Sequence, residues 1–175
     1  MSKKIVTPKF LTPRVAEEVI SSVLSAAMGR ESLICRYLKR KMCHIVVLVP
    51  AMEDARATNY PFYPNYPLHP VVLYEHSVDE ANWPHEFDGI ARCKALQLWH
   101  DRNDDRTDVM PHLLFPGDTP YWGGVKRHGL VVTCSGVQPH FDKMISGMIA
   151  DGLIAVAYEL WKISEDMKKG VSFLT

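Results

Sequence analysis

The chain has 175 residues, 47% of them hydrophobic and 23% charged, which fits one ordinary domain with a real core. Twenty basic residues balance twenty acidic ones, so the overall charge does not steer the chain toward nucleic acid or an acidic membrane surface. The composition excludes collagen, coiled coil and disorder, and a near-neutral chain associates with itself easily.

The predicted elements follow in chain order. Thr12-Pro13 is a helix N-cap with proline at the first helical position, and Ala16, Val19, Ile20, Val23, Leu24 and Ala27 then recur on one helix face, with Gly29 as the stop. Residues 30–42 are basic and fit either a connector or a second helix. His44 to Val49 is a short β-branched run, expected as a buried strand that Pro50 ends. Residues 52–68 carry prolines between Tyr60, Phe62, Tyr63 and Tyr66, so they predict a long arm, read as a subunit interface or pocket lid. Val71 to Tyr74 is the next strand and completes a hairpin around that arm.

A helix is predicted over about 86–100, with Phe87, Ile90, Ala91, Ala95 and Leu98 on one arc. Lys94 falls inside this apolar arc, where an ammonium must snorkel, pair or lose its charge. Residues 101–120 predict a loop. Tyr121 to Val125 and Leu130 to Cys134 predict strands joined by a tight turn at Lys126–Gly129. Pro139 opens the clearest helix, with Lys162, Lys168 and Lys169 near its end and Gly170 just beyond. Strands in adjacent pairs separated by helices predict an α/β domain of the α+β kind, with a largely antiparallel central sheet and helices packed on it.

Several chemistries find no motif. The four cysteines form no C-x-x-C pair, and their apolar neighbours fit reduced, buried thiols. Cys134 has no activating base in the sequence pattern, and no serine sits in a nucleophile elbow. Zinc-protease, P-loop and dinucleotide fingerprints are missing, so no metal is expected. The first residues lack the apolar core of a secretory signal, and no apolar run reaches the roughly 18 residues of a membrane span. A cytoplasmic setting without membrane or nucleic-acid partners is the expectation.

What remains is a set of candidate ligand contacts. Lys94 is a candidate anion contact, with Asp142 as its partner. Trp122 with Gly123 and Gly124 fits a pocket wall and floor, or close packing against the last helix. Ser135 and Gly136 precede a helix whose N-terminus favours anions, and Asp142 in its first turn serves the same end as a cap. Among eight histidines, His128, His100 and His140 are the candidates for a haem, which needs only one axial imidazole.

Two segments carry a family resemblance. The first is Ile90-Ala91-Arg92-Cys93-Lys94-Ala95. The second runs from Phe115 through Trp122-Gly123-Gly124-Val125, then Gly129 to Gly136, and reaches Asp142. Together they resemble the haem-binding, glycolate-operon-accessory proteins, whose domains are also appended to corrinoid adenosyltransferases. They are similar as well to a related group that includes a fungal oligomer linked to tail-anchored protein delivery. The match covers about residues 83–160. The resemblance implies a profilin-like fold, homo-oligomers, and a small-molecule ligand with haem or a corrinoid as candidates. It implies a ligand site at Lys94, Gly123, Gly124, Ser135, Gly136 and Asp142. The chain departs from the family pattern in its Val125-Lys126-Arg127 continuation and in the 52–68 arm. An enzyme using Lys94 and Asp142, and an assembly protein using the arm, are the alternatives.

Overall fold

A computed structural model describes residues 5–53, 68–103, 110–172 and 174. Residues 54–67 of the 52–68 arm and residues 104–109 of the acidic loop lie outside the described residues.

Five antiparallel strands form the sheet: β1 (Ile5–Val6), β2 (Cys43–Glu53), β3 (His69–Val78), β4 (Gly124–Arg127) and β5 (Leu130–Ser135). β2 pairs with β3 along one edge and with β5 along the other, β4 follows β5, and β1 adds two residues at the far end of β2. The helices are α1 (Pro13–Met28), α2 (Phe87–Trp99), α3 (Pro139–Ile163) and a short α4 (Glu165–Lys169).

The layering follows from strand alternation. Ile45, Val47 and Val49 of β2, with Val132 and Cys134 of β5, bury one face against Ala16 and Ile20 of α1 and Ile145, Ile149 and Leu153 of α3. Val46 and Leu48 of β2, with Val131 of β5, bury the other face against Ala91, Ala95 and Leu98 of α2. Both faces of β2 and β5 are therefore covered, which is why those strands read as unbroken apolar runs. The expected α+β fold with an antiparallel sheet is the observed one.

Several boundaries differ from expectation or settle what was open, and the strand expected at Val71 to Tyr74 runs from His69 to Val78. β2 continues through Pro50 to Glu53, and Pro50 sits opposite Pro70 of β3. This is tolerated because β5 pairs with β2 only as far as Leu48, so Pro50 needs no donor toward that side. The basic stretch 30–42 is irregular apart from one tight turn, Ile34–Arg36. The β4–β5 turn contains only His128 and Gly129, both at positive φ (47° and 84°), so Lys126 and Arg127 belong to the strand. The last helix stops at Ile163, and Ser164 caps the separate α4, which ends at Gly170 in the left-handed region.

α3 also corrects the reading of apolar runs. Among the described residues it is one helix long and apolar enough to cross a membrane by length and composition, with mean hydropathy 1.3. Its first half is core: Asp142, Ile145, Ser146, Ile149, Ala150 and Leu153 are buried. Beyond Leu153 it has no buried residue, and Ile154, Val156, Tyr158 and Ile163 are exposed.

Candidate functional site

The site forms where β5 ends. Ser135 closes the strand, and Gly136 turns the chain at a φ of 134°. A side chain there would meet the Met42 carbonyl oxygen at 2.6 Å and the Phe87 ring at 2.9 Å. The chain therefore folds tightly under β2 and enters α3 through Val137 and Gln138. A cavity of about 240 Å³ opens between this turn, α2 and the start of α3. Phe87, Ile90 and Lys94 come from successive turns of α2, while Ser135, Gly136 and Asp142 come from the β5–α3 corner. Arg40, His85 and Tyr121 are exposed at its mouth, so the cavity has an exposed rim and a buried floor.

Lys94 and Asp142 make that floor. Lys94 is 1% exposed and Asp142 4%. The Lys94 Nζ donates to the Cys134 carbonyl oxygen at 3.0 Å and to Asp142 Oδ2 at 3.4 Å. Asp142 Oδ1 accepts from the Val137 backbone N–H at 3.0 Å, which ties the pair to the turn before α3. Burial lowers the Lys94 pKa and Asp142 partly restores it. Burial raises the Asp142 pKa, opposed by Lys94 and by the Val137 N–H. Both directions favour the uncharged pair relative to water, as expected when desolvation outweighs attraction.

The start of α3 is the second polar feature. Its N-cap Gln138 makes no side-chain cap, because that amide is used elsewhere. Gln138 Oε1 accepts from the Lys39 N–H at 2.9 Å, and Nε2 donates to the Tyr37 carbonyl at 3.2 Å. This fixes the irregular 37–40 segment against the cavity. Arg40 is held there by an Nη2 bond to the Val137 carbonyl at 3.1 Å and lies over the Phe87 ring at 5.6 Å. A guanidinium and an uncapped 25-residue helix thus converge on one small space.

The candidate residues from the sequence divide into three groups. Lys94, Ser135, Gly136 and Asp142 line the cavity together. Gly123 and Gly124 are packing positions beside it. At Gly123, with φ of 120°, a Cβ would stand 2.7 Å from the Asp142 Cβ. At Gly124 it would stand 2.6 Å from both Leu98 and Thr133. The pair therefore lets β4 approach α2 and α3 closely, and Ser146 donates to the Gly123 carbonyl at 3.3 Å. Trp122, half-buried, is not among the cavity-lining residues.

The histidines form the third group. His128 is exposed in the β4–β5 turn, His100 caps the end of α2, and exposed His140 stacks beside Phe141. None of the three lines the cavity, where the imidazole present is His85. Sequence reasoning missed His85, Arg40 and Tyr121. Arg40 had a signal, since a basic connector must contact something, but its partner lies about a hundred residues away. No family model, no curated protein and no solved structure matches the chain.

Proposed function

We propose that this chain is a small-molecule-binding domain whose ligand carries an anionic group on a compact, partly apolar body. The observation that carries the reading is the buried Lys94–Asp142 pair at the floor of a cavity that also receives Arg40 and the uncapped start of α3. Pockets that bind small molecules combine apolar walls with a few convergent polar groups, and here Phe87, Ile90 and Pro139 supply the walls. A packed core position needs no lysine, and an apolar pair of similar volume costs nothing in stability. A ligand contact supplies the reason for keeping an ionisable pair there.

Size selects among ligands. A 240 Å³ cavity exceeds the roughly 150 Å³ that holds benzene but falls below the roughly 300–1,000 Å³ of pockets for drug-sized molecules. A tetrapyrrole is larger still, and the imidazole nearest the cavity, His85, sits at its exposed rim. The residues do not fit an enclosed haem or corrinoid, so the reading retains the small ligand and not the macrocycle. The three-layer order of α1 and α3, sheet, and α2 supports the profilin-like reading. The apolar residues exposed on the second half of α3 support a homo-oligomer, and four unpaired thiols support the cytoplasm as its setting.

Thermal unfolding in the presence of acetate, L-lactate and benzoate tests the binding reading. A ligand at a hundredfold excess over its dissociation constant adds about 2.7 kcal/mol of stability. The expected result is a rise in Tm with at least one of the three, lost in Arg40→Ala. A Tm unmoved by all three contradicts it.

A further inference from the structure

The Lys94 amine has the surroundings of a nucleophile. It stands on the apolar face of α2, on the wall of the cavity, with its two acceptors at 3.0 and 3.4 Å. In the neutral pair the amine donates to the Cys134 carbonyl, and the Asp142 hydroxyl at Oδ2 faces the nitrogen across a long 3.4 Å contact that an incoming carbonyl compound displaces. Burial pushes Lys94 and Asp142 toward the neutral amine and the neutral acid. Lysines in dry, mostly apolar sites are the ones that react with carbonyl compounds.

Arg40 and the start of α3 line the same cavity. Arg40 and the backbone N–H groups at the start of α3 favour a carboxylate at the rim. A ligand held by its carboxylate at that rim presents the rest of its body to Lys94. We propose, building on the binding reading above, that the ligand is a small carbonyl acid and that Lys94 forms an imine with its carbonyl carbon.

The chemistry balances within the pair. Nζ attacks the carbonyl carbon, a C–N bond forms, and the C=O electron pair moves to oxygen, which takes the proton of the neutral Asp142 carboxyl. The Asp142 carboxylate then removes one proton from the ammonium nitrogen and delivers it to the carbinolamine hydroxyl. The C–O bond breaks, the nitrogen lone pair forms C=N, and the oxygen leaves as water. Neutral amine, neutral acid and carbonyl compound become a protonated imine, the Asp142 carboxylate and one water. Nothing is oxidised or reduced. The product is an ion pair at the position where Lys94 and Asp142 already meet, so the site needs no rearrangement of charge beyond one proton.

Pyruvate with sodium borohydride is the test, and L-lactate is the control that matches its shape and carboxylate but lacks the carbonyl. The wild-type chain is used, so the result does not depend on a variant that folds. The expected result is one reduced pyruvate per chain, mapped by peptide mass to Lys94, blocked by excess L-lactate and lost when the chain is first denatured. Labelling spread over exposed lysines, with Lys94 unmodified, overturns the proposal. Pyruvate that raises Tm as L-lactate does, yet leaves Lys94 unmodified, overturns the imine while the binding reading stands. Pyruvate and L-lactate both failing to bind overturns the imine, and overturns the binding reading too when acetate and benzoate also leave Tm unmoved.

Discussion

Lys94 and Arg92 stand two residues apart on α2, each paired with a carboxylate, and their circumstances are opposite. Arg92 is half-exposed and grips Glu75 of β3 with two bonds, at 2.7 and 3.0 Å, and Asp88 with a third at 2.8 Å. Those partners raise the Arg92 pKa, and Arg92 in turn holds Glu75 below the usual carboxylate range. Everything in that network prefers its charge. Lys94, on the buried side of the same helix, has one longer carboxylate contact and a desolvation cost that pushes its charge away. Water decides the difference: the exposed network clamps a helix to a strand, and the buried pair keeps a proton that can move.

The largest effect that separates the two regions comes from breaking the buried pair. Asp142→Ala strips two buried groups, the Lys94 amine and the Val137 N–H, of their shared carboxyl partner and is expected to cost about 1–3 kcal/mol for each in denaturant unfolding. The double change Lys94→Met with Asp142→Leu is expected to recover part of that loss, because the amine that lost its partner is gone as well. Recovery in the double variant with loss of ligand binding would separate function from stability at this site.

Next in size is the packing around the pair. Gly124→Ala places a methyl 2.6 Å from Leu98 and Thr133, and overpacking of this kind costs about 1–3 kcal/mol. The change removes no candidate ligand contact, so calorimetric unfolding is expected to register it more strongly than ligand affinity does.

The acid limb of stability sharpens the comparison by pH. His44 is buried, its Nε2 has no hydrogen-bond partner among the described residues, and burial lowers its pKa. A lowered histidine contributes stability while neutral and loses it as the pH falls below about 6.5, where the unfolded chain takes the proton first. Glu75 and Asp118 have depressed pKa values, caused mainly by Arg92 and Arg102. Their contribution is present above the unfolded carboxylate range, about pH 4, and is lost as the pH falls through their lower folded values. Two steps in Tm against pH are expected, and His44→Phe is expected to remove the upper one.

The smallest effect belongs to the exposed clamp. Arg92→Ala is expected to cost about 0.2–1 kcal/mol, shrinking further in high salt, since exposed ion pairs are weak and screened. If this change costs as much as Asp142→Ala, the contrast between the two regions is wrong.

Much of the fold was legible because its periodicities are clean. HIVVLV and LVVTC are buried on both faces, and the Thr12 cap and the Pro139 start sit where the sequence placed them. Lys94 announced itself as one charge on an apolar arc, and Asp142 as an acid at a helix start. The rest of the site was hidden for a physical reason. Arg40, His85 and Tyr121 are ordinary polar residues in loops, and only the tight turn at Gly136 brings them to one rim. The glycine pair was ambiguous between floor and spacer, since either role asks only for a missing side chain. The break at Ser164 was masked because Lys168 and Lys169 serve the end of α4 as well as they would a longer helix.

The measurement that bears most directly on the central claim is native mass spectrometry of the chain purified from its own cells. One bound molecule per chain is expected, small enough for a cavity of about 240 Å³, present on the wild type and missing from Arg40→Ala. A bare chain in both, or a bound mass that Arg40→Ala retains, would contradict it.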